Sequence, residues 1–317
     1  MHDNNIIFKE LGNIKTVQKY DILVPISGGK DGIYLLWYFK KNTNYRILAF
    51  NYDNWFISDQ TNKNIIRSLK KIGCDFISFK PQWNLSRDIY KKLLTRMGEI
   101  CISCEMILNF SVFQYAVINK IPYVAWGLTI EQMKKKNISG FKVKTDDYYY
   151  AKLENYYNIL IENLFEDDFY LCDIIKREYI KALFNSEAFY PYFIYPFYLL
   201  PYDPNKIEQI ITDENLWVRP CDTGGISSNC VINNLHVYLK KQVYGSEYYK
   251  NILREKLEKN QISPIIYENA CKDSDDQEEY YKIINDLGID LSLDEIIEKI
   301  KNYPKSALLR SEKYIGI

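Results

Sequence analysis

The chain has 317 residues, enough for roughly two domains of ~150 residues each and for a substantial core. Hydrophobic residues make up 47% and charged residues 26%, a globular composition that excludes wholesale disorder. The 41 basic and 41 acidic side chains balance to a formal charge of zero, so neither a membrane nor a nucleic-acid partner is expected unless a local basic patch exists.

The first half of the chain predicts a parallel α/β domain, because short apolar runs alternate with amphipathic segments. Such a sheet binds its ligands at the carboxyl ends of the strands. We expect this domain to span residues 1–133. Strands and helices alternate in the predicted order Asp21–Ile26, Ile33–Lys41, Arg46–Tyr52, Thr61–Ile72, Phe76–Phe79, Tyr90–Met97, Met106–Asn119 and Tyr123–Gly127, with two helices before the last strand.

The second half predicts a mainly helical domain over residues 134–317. It opens with a basic, loop-like segment at Lys134–Lys144, whose lysine run is expected to be solvated or to clamp an anion. The aromatic, proline-rich stretch Phe189–Pro204 is expected to be packed core; a stacking surface for a substrate and a homodimer face are the alternatives. Helical spacing is found at Tyr148–Phe184, Leu235–Lys241, Tyr249–Lys259 and Asp276–Leu287.

Cysteine usage and the N-terminal residues predict a cytoplasmic protein. Seven cysteines is an odd number, and residues 1–20 are polar with no apolar signal region. The longest apolar run, Phe189–Tyr202, contains three prolines and is too short to span a bilayer. We therefore expect reduced thiols and no membrane segment.

The sharpest local motif is the segment Val24–Gly32, in which a strand runs through two glycines into a helix. Glycines let backbone N–H groups turn toward an anion, and the helix N-terminus adds a partial positive charge. This pattern predicts a phosphate-binding loop. It differs from the Walker loop because no Gly-Lys-Ser/Thr ending is present.

The segment Ser27–Asp31 resembles the SGGxDS loop of the PP-loop ATP pyrophosphatases, also called adenine nucleotide alpha-hydrolase-like enzymes. This resemblance implies a Rossmann-like fold that binds ATP and Mg²⁺, with Lys30 and Asp31 in catalytic roles. Gly32 stands where the family has a serine. The resemblance continues at Leu48–Asn54 and Tyr123–Thr129 and implies a set of nucleotide-binding residues: Ser27, Gly28, Gly29, Lys30, Asp31, Gly32, Phe50, Asn51, Asp53 and Gly127.

Four cysteines form the second candidate site. Cys101 and Cys104 make a CxxC pair, and Cys221 and Cys230 flank a short, polar, Gly-rich loop. Three interpretations stay open at this point. The thiols are reduced packing residues, or four thiolates bind a structural Zn²⁺, or they serve sulfur chemistry through a three-cysteine iron–sulfur cluster or a persulfide.

Family resemblance also bears on the cysteines. In tRNA 2-thiocytidine synthetases a PP-loop, a CxxC and a distant cysteine occur in this order, which implies a 4Fe–4S cluster on Cys101, Cys104 and Cys230. The segment Asp222–Asn233 resembles a DTG…STNCxIN signature of natural-product enzymes that form thioamides. The segment Gly98–Cys101 is similar to one in N-acetyl sugar amidotransferases, which take ammonia from a glutaminase partner.

These observations predict an enzyme that adenylates an amide-type carbonyl oxygen with ATP and replaces the oxygen with sulfur, with Lys30, Asp31 and three cysteines as catalytic residues. The substrate is a small or carrier-bound molecule, and a partner donates the sulfur. The alternatives are an amidotransferase acting on an N-acetyl sugar and a non-catalytic ATP-binding module. With only His2 and His236 present, we expect no multi-histidine metal site and no histidine-based triad, and His236 is expected to be a partly buried helix residue.

Overall fold

The computed structural model describes residues 6–12, 17–145, 189–221, 223, 229–259, 262, 264–271 and 276–303. The helix predicted over Tyr148–Phe184 lies outside these residues. The strands are β1 Ile22–Pro25, β2 Ile47–Tyr52, β3 Asp75–Phe79, β4 Tyr123–Ala125, β5 Lys142–Lys144 and β6 Tyr192–Ile194. The helices are α1 Ile6–Leu11, α2 Lys30–Asn42, α3 Asp59–Ile72, α4 Trp83–Met97, α5 Cys101–Ile118, α6 Ile130–Lys135, α7 Pro204–Asp213, α8 Ile232–Tyr244, α9 Ser246–Glu258, α10 Pro264–Cys271, α11 Gln277–Asp286 and α12 Leu293–Asn302.

The six strands form one sheet in the order β3-β2-β1-β4-β6-β5. Every neighbouring pair is parallel except β5 and β6. The predicted α/β fold, with a parallel sheet and a mainly helical C-terminal region, is confirmed. The strand order reverses between β1 and β4, and the crevice at such a reversal is where open α/β sheets bind ligands.

Period-2 alternation along the strands divides the core into two layers. Leu23 of β1 and Phe50 of β2 face the layer that contains α4 and α5, whereas Val24 and Ala49 face the layer that contains α2. All four side chains are almost fully buried. The sheet is therefore covered on both faces, as the continuous apolar runs of β1 and β2 predict.

Two regions in which no strand was predicted contain strands. Within Lys134–Lys144 the first two lysines end α6 and the last three residues form β5. Within Phe189–Pro204 the residues Tyr192–Ile194 form β6, which pairs with β4. Both strands are only three residues long, too short for periodicity to identify. The predicted domain boundary after residue 133 stays a prediction, although the sheet takes strands from both sides of it.

Helix α5 is the core helix of one sheet face. With 18 residues, α5 is long and apolar enough to cross a membrane by length and composition alone. This is weak evidence for a membrane span, because half of the segment is buried inside the protein, as in the core helix of a globular domain. Phe110 and Phe113 are buried in the core layer that also contains Phe50 of β2 and Phe193 of β6. The first turn of α5 lies near the carboxyl edge of the sheet, where Cys104 lines a cavity together with Ser27 and Tyr52.

Candidate functional site

The predicted phosphate loop lies between β1 and α2. Gly28 has a φ of 78°, and a Cβ atom there would lie 2.3 Å from Thr61 Cγ2, so glycine is required both by conformation and by space. The carbonyl oxygens of the loop are held from behind: Asn51 Nδ2 donates to Ile26 O at 2.9 Å, and Trp217 Nε1 donates to Gly28 O at 3.0 Å. With its carbonyls anchored, the loop is held in a fixed conformation.

Lys30 and Asp31 meet a tyrosine that sequence reasoning did not select. Lys30 Nζ lies 2.7 Å from Asp31 Oδ1 and donates to Tyr202 Oη at 2.8 Å, and Tyr202 Oη donates to Asp31 Oδ2 at 3.4 Å. Burial, followed by the Asp31 charge, raises the pKa of Tyr202 above its ordinary value. Tyr202 stays a neutral donor that fixes both charged groups, and its 171-residue separation from Asp31 explains why no local pattern reveals it.

These residues border a cavity of about 520 Å³, called here the phosphate-loop cavity. Ser27, Gly29, Lys30, Asp31, Gly32 and Gly127 line it, together with further basic side chains. Burial, followed by the charge of Lys135, lowers the pKa of Lys256. A bound anion would relieve this repulsion, so the cation set suits polyphosphate. The additional basic residues lining the cavity are Lys135, Arg219 and Lys256.

Besides Gly28, three predicted nucleotide-binding residues do not line this cavity. Phe50 is buried in the core, and Asn51 supports the loop through Ile26 O. Asp53 Oδ2 accepts from Lys80 Nζ at 2.9 Å. Direct contact of these three side chains with a nucleotide stays a prediction.

A second cavity, of about 350 Å³, adjoins the first. Both cavities are lined by Ser27, Trp126 and Asn229, which lie at their common boundary. Cys104 and Cys230 line the second cavity. The structure therefore brings two of the predicted cysteines next to the phosphate loop.

Asn54 joins these two cysteines. Its Nδ2 atom lies 3.3 Å from Cys230 Sγ and 3.7 Å from Cys104 Sγ, so both sulfur atoms are in contact with one nitrogen. Cys230 is brought there by an antiparallel bridge to Ile57 and by the hydrogen bond from Val231 N to Phe56 O. Residues 229–231, from the second half of the chain, thus dock on the segment that follows β2.

Cys101 contacts a different set of residues. Its Sγ lies 3.9 Å from His236 Nδ1, and His236 Nε2 lies 3.2 Å from Glu99 Oε2, which also pairs with Lys240. Glu99 and His236 are buried. His236 is a helix residue as expected, and it is buried more completely than the sequence predicts. It lies between the Glu99 carboxylate and the Cys101 thiol.

The thiols are protonated in this arrangement. Burial raises the pKa of Cys104 to about 12 and also raises the pKa of Cys101 and Cys230. The Glu99 carboxylate adds to the effect on Cys101. A helix N-terminus lowers thiol pKa values, but here burial outweighs the position of Cys101 and Cys104 in the first turn of α5.

The described residues do not form a ready metal site. No group of three or more His, Cys, Asp or Glu side chains among them is arranged to hold a metal ion. Cys101 faces His236 while Cys104 and Cys230 face Asn54. Cys221 is exposed and lines neither cavity. The present side-chain arrangement does not fit a cluster or a four-thiolate zinc site, and metal binding by these cysteines stays a prediction.

Among solved structures, the chain is similar to U34-tRNA thiolase NcsA from Methanococcus maripaludis with its 4Fe–4S cluster. The two sequences are 12% identical, the match covers 88% of this chain and 78% of that chain, and the TM-score is 0.40. No protein-family model matches the chain, and no curated protein matches it. A TM-score of this size marks a distant likeness, so the proposals below rest on the chain's own residues.

Proposed function

We propose that this protein is an ATP-dependent enzyme that transfers AMP to a carboxamide oxygen and then replaces that oxygen with sulfur. One observation carries the proposal: the phosphate loop and two cysteines open onto adjoining cavities with a common boundary at Ser27 and Trp126. A nucleotide site next to a thiol-lined acceptor site is the arrangement that such a two-step reaction needs.

ATP binds with its phosphates on the loop. The first residues of α2, Lys30 to Gly32, line the cavity, and a helix start offers backbone N–H groups to phosphate. Lys30 and Lys256 supply positive charge to departing pyrophosphate. Asp31 lines the same cavity and is the carboxylate that would hold the Mg²⁺ that accompanies ATP. This metal would neutralise phosphate charge when bound.

The reaction balances without an oxidant or a reductant. The amide oxygen attacks the α-phosphorus of ATP, the bond from that phosphorus to the bridging oxygen breaks, and pyrophosphate leaves. Hydrosulfide then adds to the adenylated carbon, the C–O bond breaks, and AMP leaves with the former carbonyl oxygen. The activated amide keeps its N–H proton, which becomes the N–H of the thioamide. The proton that hydrosulfide brings is released to solvent.

The sulfur nucleophile enters beside Cys104 and Cys230, the two thiols that line the acceptor side of the site. A sulfur donor at the oxidation level of hydrosulfide supplies it. Protonation of both thiols at neutral pH makes them weak competing nucleophiles, so they do not trap the adenylated carbon themselves.

The test is product analysis. The protein is incubated with Mg-ATP and a panel of aliphatic, aromatic and N-acetyl-sugar carboxamides, with either hydrosulfide or ammonium as nucleophile. The proposal predicts AMP, pyrophosphate and a thioamide in the hydrosulfide reactions. ADP and phosphate would contradict it, product formation with ammonium alone would favour an amidotransferase, and ATP binding without any turnover would indicate a binding module.

A further inference from the structure

The second cavity is walled mainly by apolar side chains. Phe193 lies on β6 on the same sheet face as Trp126, and the two rings pack edge to face with centroids 5.7 Å apart. Ile57, Leu108 and Val143 complete much of the wall. Because Ile26, Trp126, Phe193 and Val143 belong to or follow four neighbouring strands, the cavity extends across about 14 Å of sheet.

Several polar groups in this wall are already engaged with the protein. Thr145 Oγ1 donates to Pro191 O at 2.6 Å, and Gln132 Oε1 accepts from Thr129 N at 2.9 Å. Lys136 Nζ pairs with Glu105 Oε1 at 2.5 Å. A hydroxyl-rich ligand such as a sugar would have to displace these interactions, whereas an apolar ligand leaves them intact.

Trp126 carries a buried polar group in this wall that has no such partner. The residue is only 8% exposed, lines both cavities, and its indole N–H has no hydrogen-bond partner among the described residues. A buried donor without a partner costs free energy, so native proteins pair nearly all of them with protein, water or ligand. Because Trp126 lies at the boundary of the cavities, an acceptor oxygen bound between the nucleotide and the apolar wall would supply the partner that its N–H lacks.

We propose that the second cavity binds an elongated, mainly apolar carboxamide whose carbonyl oxygen accepts a hydrogen bond from Trp126 Nε1. This proposal rests on the proposed function, because the same oxygen is the one that receives AMP. The apolar remainder of the amide lies along Phe193 and Val143, and its carbonyl faces the phosphate loop at Ser27. Trp126 is thus a substrate-binding residue.

Calorimetry with N-butylbenzamide tests the proposal and needs no turnover. Trp126→Phe keeps an aromatic ring but removes the N–H, and Trp37→Phe, at a half-buried tryptophan that lines neither cavity, is the matched control. We expect Trp126→Phe to weaken amide binding about five- to tenfold and Trp37→Phe to leave it unchanged. N-acetylglucosamine is expected not to bind measurably.

Several outcomes would overturn the proposal. Equal amide affinity of Trp126→Phe and the wild type would show that the Trp126 hydrogen bond to the amide does not form. If Trp126→Phe weakens the binding of ATP but not of the amide, the indole N–H donates to the nucleotide instead. Tighter binding of N-acetylglucosamine than of the amide refutes the apolar class. Should Trp126→Phe fail to fold, Val143→Asp tests the wall: it should abolish amide binding, whereas Val17→Asp, at an almost fully exposed valine that lines neither cavity, should not. If these binding results hold but AMP never forms, only the proposed reaction fails.

Discussion

Gly28 is the residue on which the phosphate loop depends most. Its positive φ is shared with Gly73, but only at Gly28 would a Cβ collide with Thr61. We expect Gly28→Ala and Gly73→Ala both to lose about 1–2 kcal/mol of stability from the backbone. Gly28→Ala should lose a further ~1–3 kcal/mol from overpacking and should also lose ATP binding.

Chemical denaturation with calorimetry of Mg-ATP binding checks this expectation. Gly73 ends α3 with open space around it, so its variant isolates the conformational cost. Equal destabilisation of the two variants, or undiminished ATP binding by Gly28→Ala, would show that the loop does not need the close contact with Thr61.

His236 gives the stability a pH dependence with a defined sign. Burial lowers its pKa below the ordinary value of 6.5, against the opposing influence of Glu99. Because the unfolded chain takes up a proton that the folded protein resists, the free energy of unfolding should fall as pH decreases below 6.5, by at most about 1.4 kcal/mol per pH unit. His236→Gln should flatten the curve between about pH 7 and pH 5.

Urea denaturation across this pH range provides the measurement, and His2→Gln, which removes the other histidine of the chain, is the control. An unchanged slope in His236→Gln would show that another group titrates in this window. The sequence predicts a partly buried helix residue at His236, but its contact with Cys101 spans 135 positions and leaves no local signal.

At the scale of elements, strand length decided what the sequence could predict. The apolar runs containing β1 and β2 are long enough for both strands to be located within one residue at each end. The strand β6 is three residues long and lies among prolines, so its pairing with β4 is a tertiary effect. That hidden strand supplies Phe193, one wall of the second cavity.

Helix α9 brings positive charge to the phosphate-loop cavity from the far half of the chain. Lys256 lines the cavity, whereas Lys250 on the same helix pairs with Glu247 outside it. We expect Lys256→Met to weaken Mg-ATP binding about five- to tenfold, equivalent to ~1–1.4 kcal/mol, because a phosphate contact is lost. Lys250→Met should bind normally.

Calorimetry at two salt concentrations measures this effect. Wild-type affinity should decrease with added salt more steeply than that of Lys256→Met, since one screened charge pair is absent from the variant. Identical affinities for Lys256→Met and Lys250→Met would mean that α9 does not participate in nucleotide binding.

At the scale of the whole molecule, the site is assembled from distant segments. Asn54, Cys104 and Cys230 come from three parts of the chain and meet beside the phosphate loop. From family resemblance and the placement of helices at the strand ends, the sequence predicts that Cys101, Cys104 and Cys230 lie together next to the ATP site. Two of the three, Cys104 and Cys230, line the cavity beside the phosphate loop. Cys101 contacts His236 instead, and the spacing of cysteines in the sequence does not encode which residue each thiol packs against.

The cysteine pair should act only in the second step. We expect Cys104→Ser and Cys230→Ser to retain AMP formation and to lose at least about tenfold of the thioamide yield, because sulfur enters where they lie. Cys74→Ser, at a position outside both cavities, should keep both activities. Separate chromatographic assays of AMP and thioamide give the two rates, and equal loss of both would place the thiols in nucleotide binding instead.

Oxygen tracing tests the central claim most directly. A carboxamide that supports turnover is labelled with ¹⁸O at its carbonyl and incubated with Mg-ATP and hydrosulfide, and the nucleotide products are analysed by mass spectrometry. Transfer of AMP to the carbonyl oxygen predicts that the label is found in AMP, in equal amount to the thioamide formed. Unlabelled AMP, or label recovered in phosphate alongside ADP, would contradict the account.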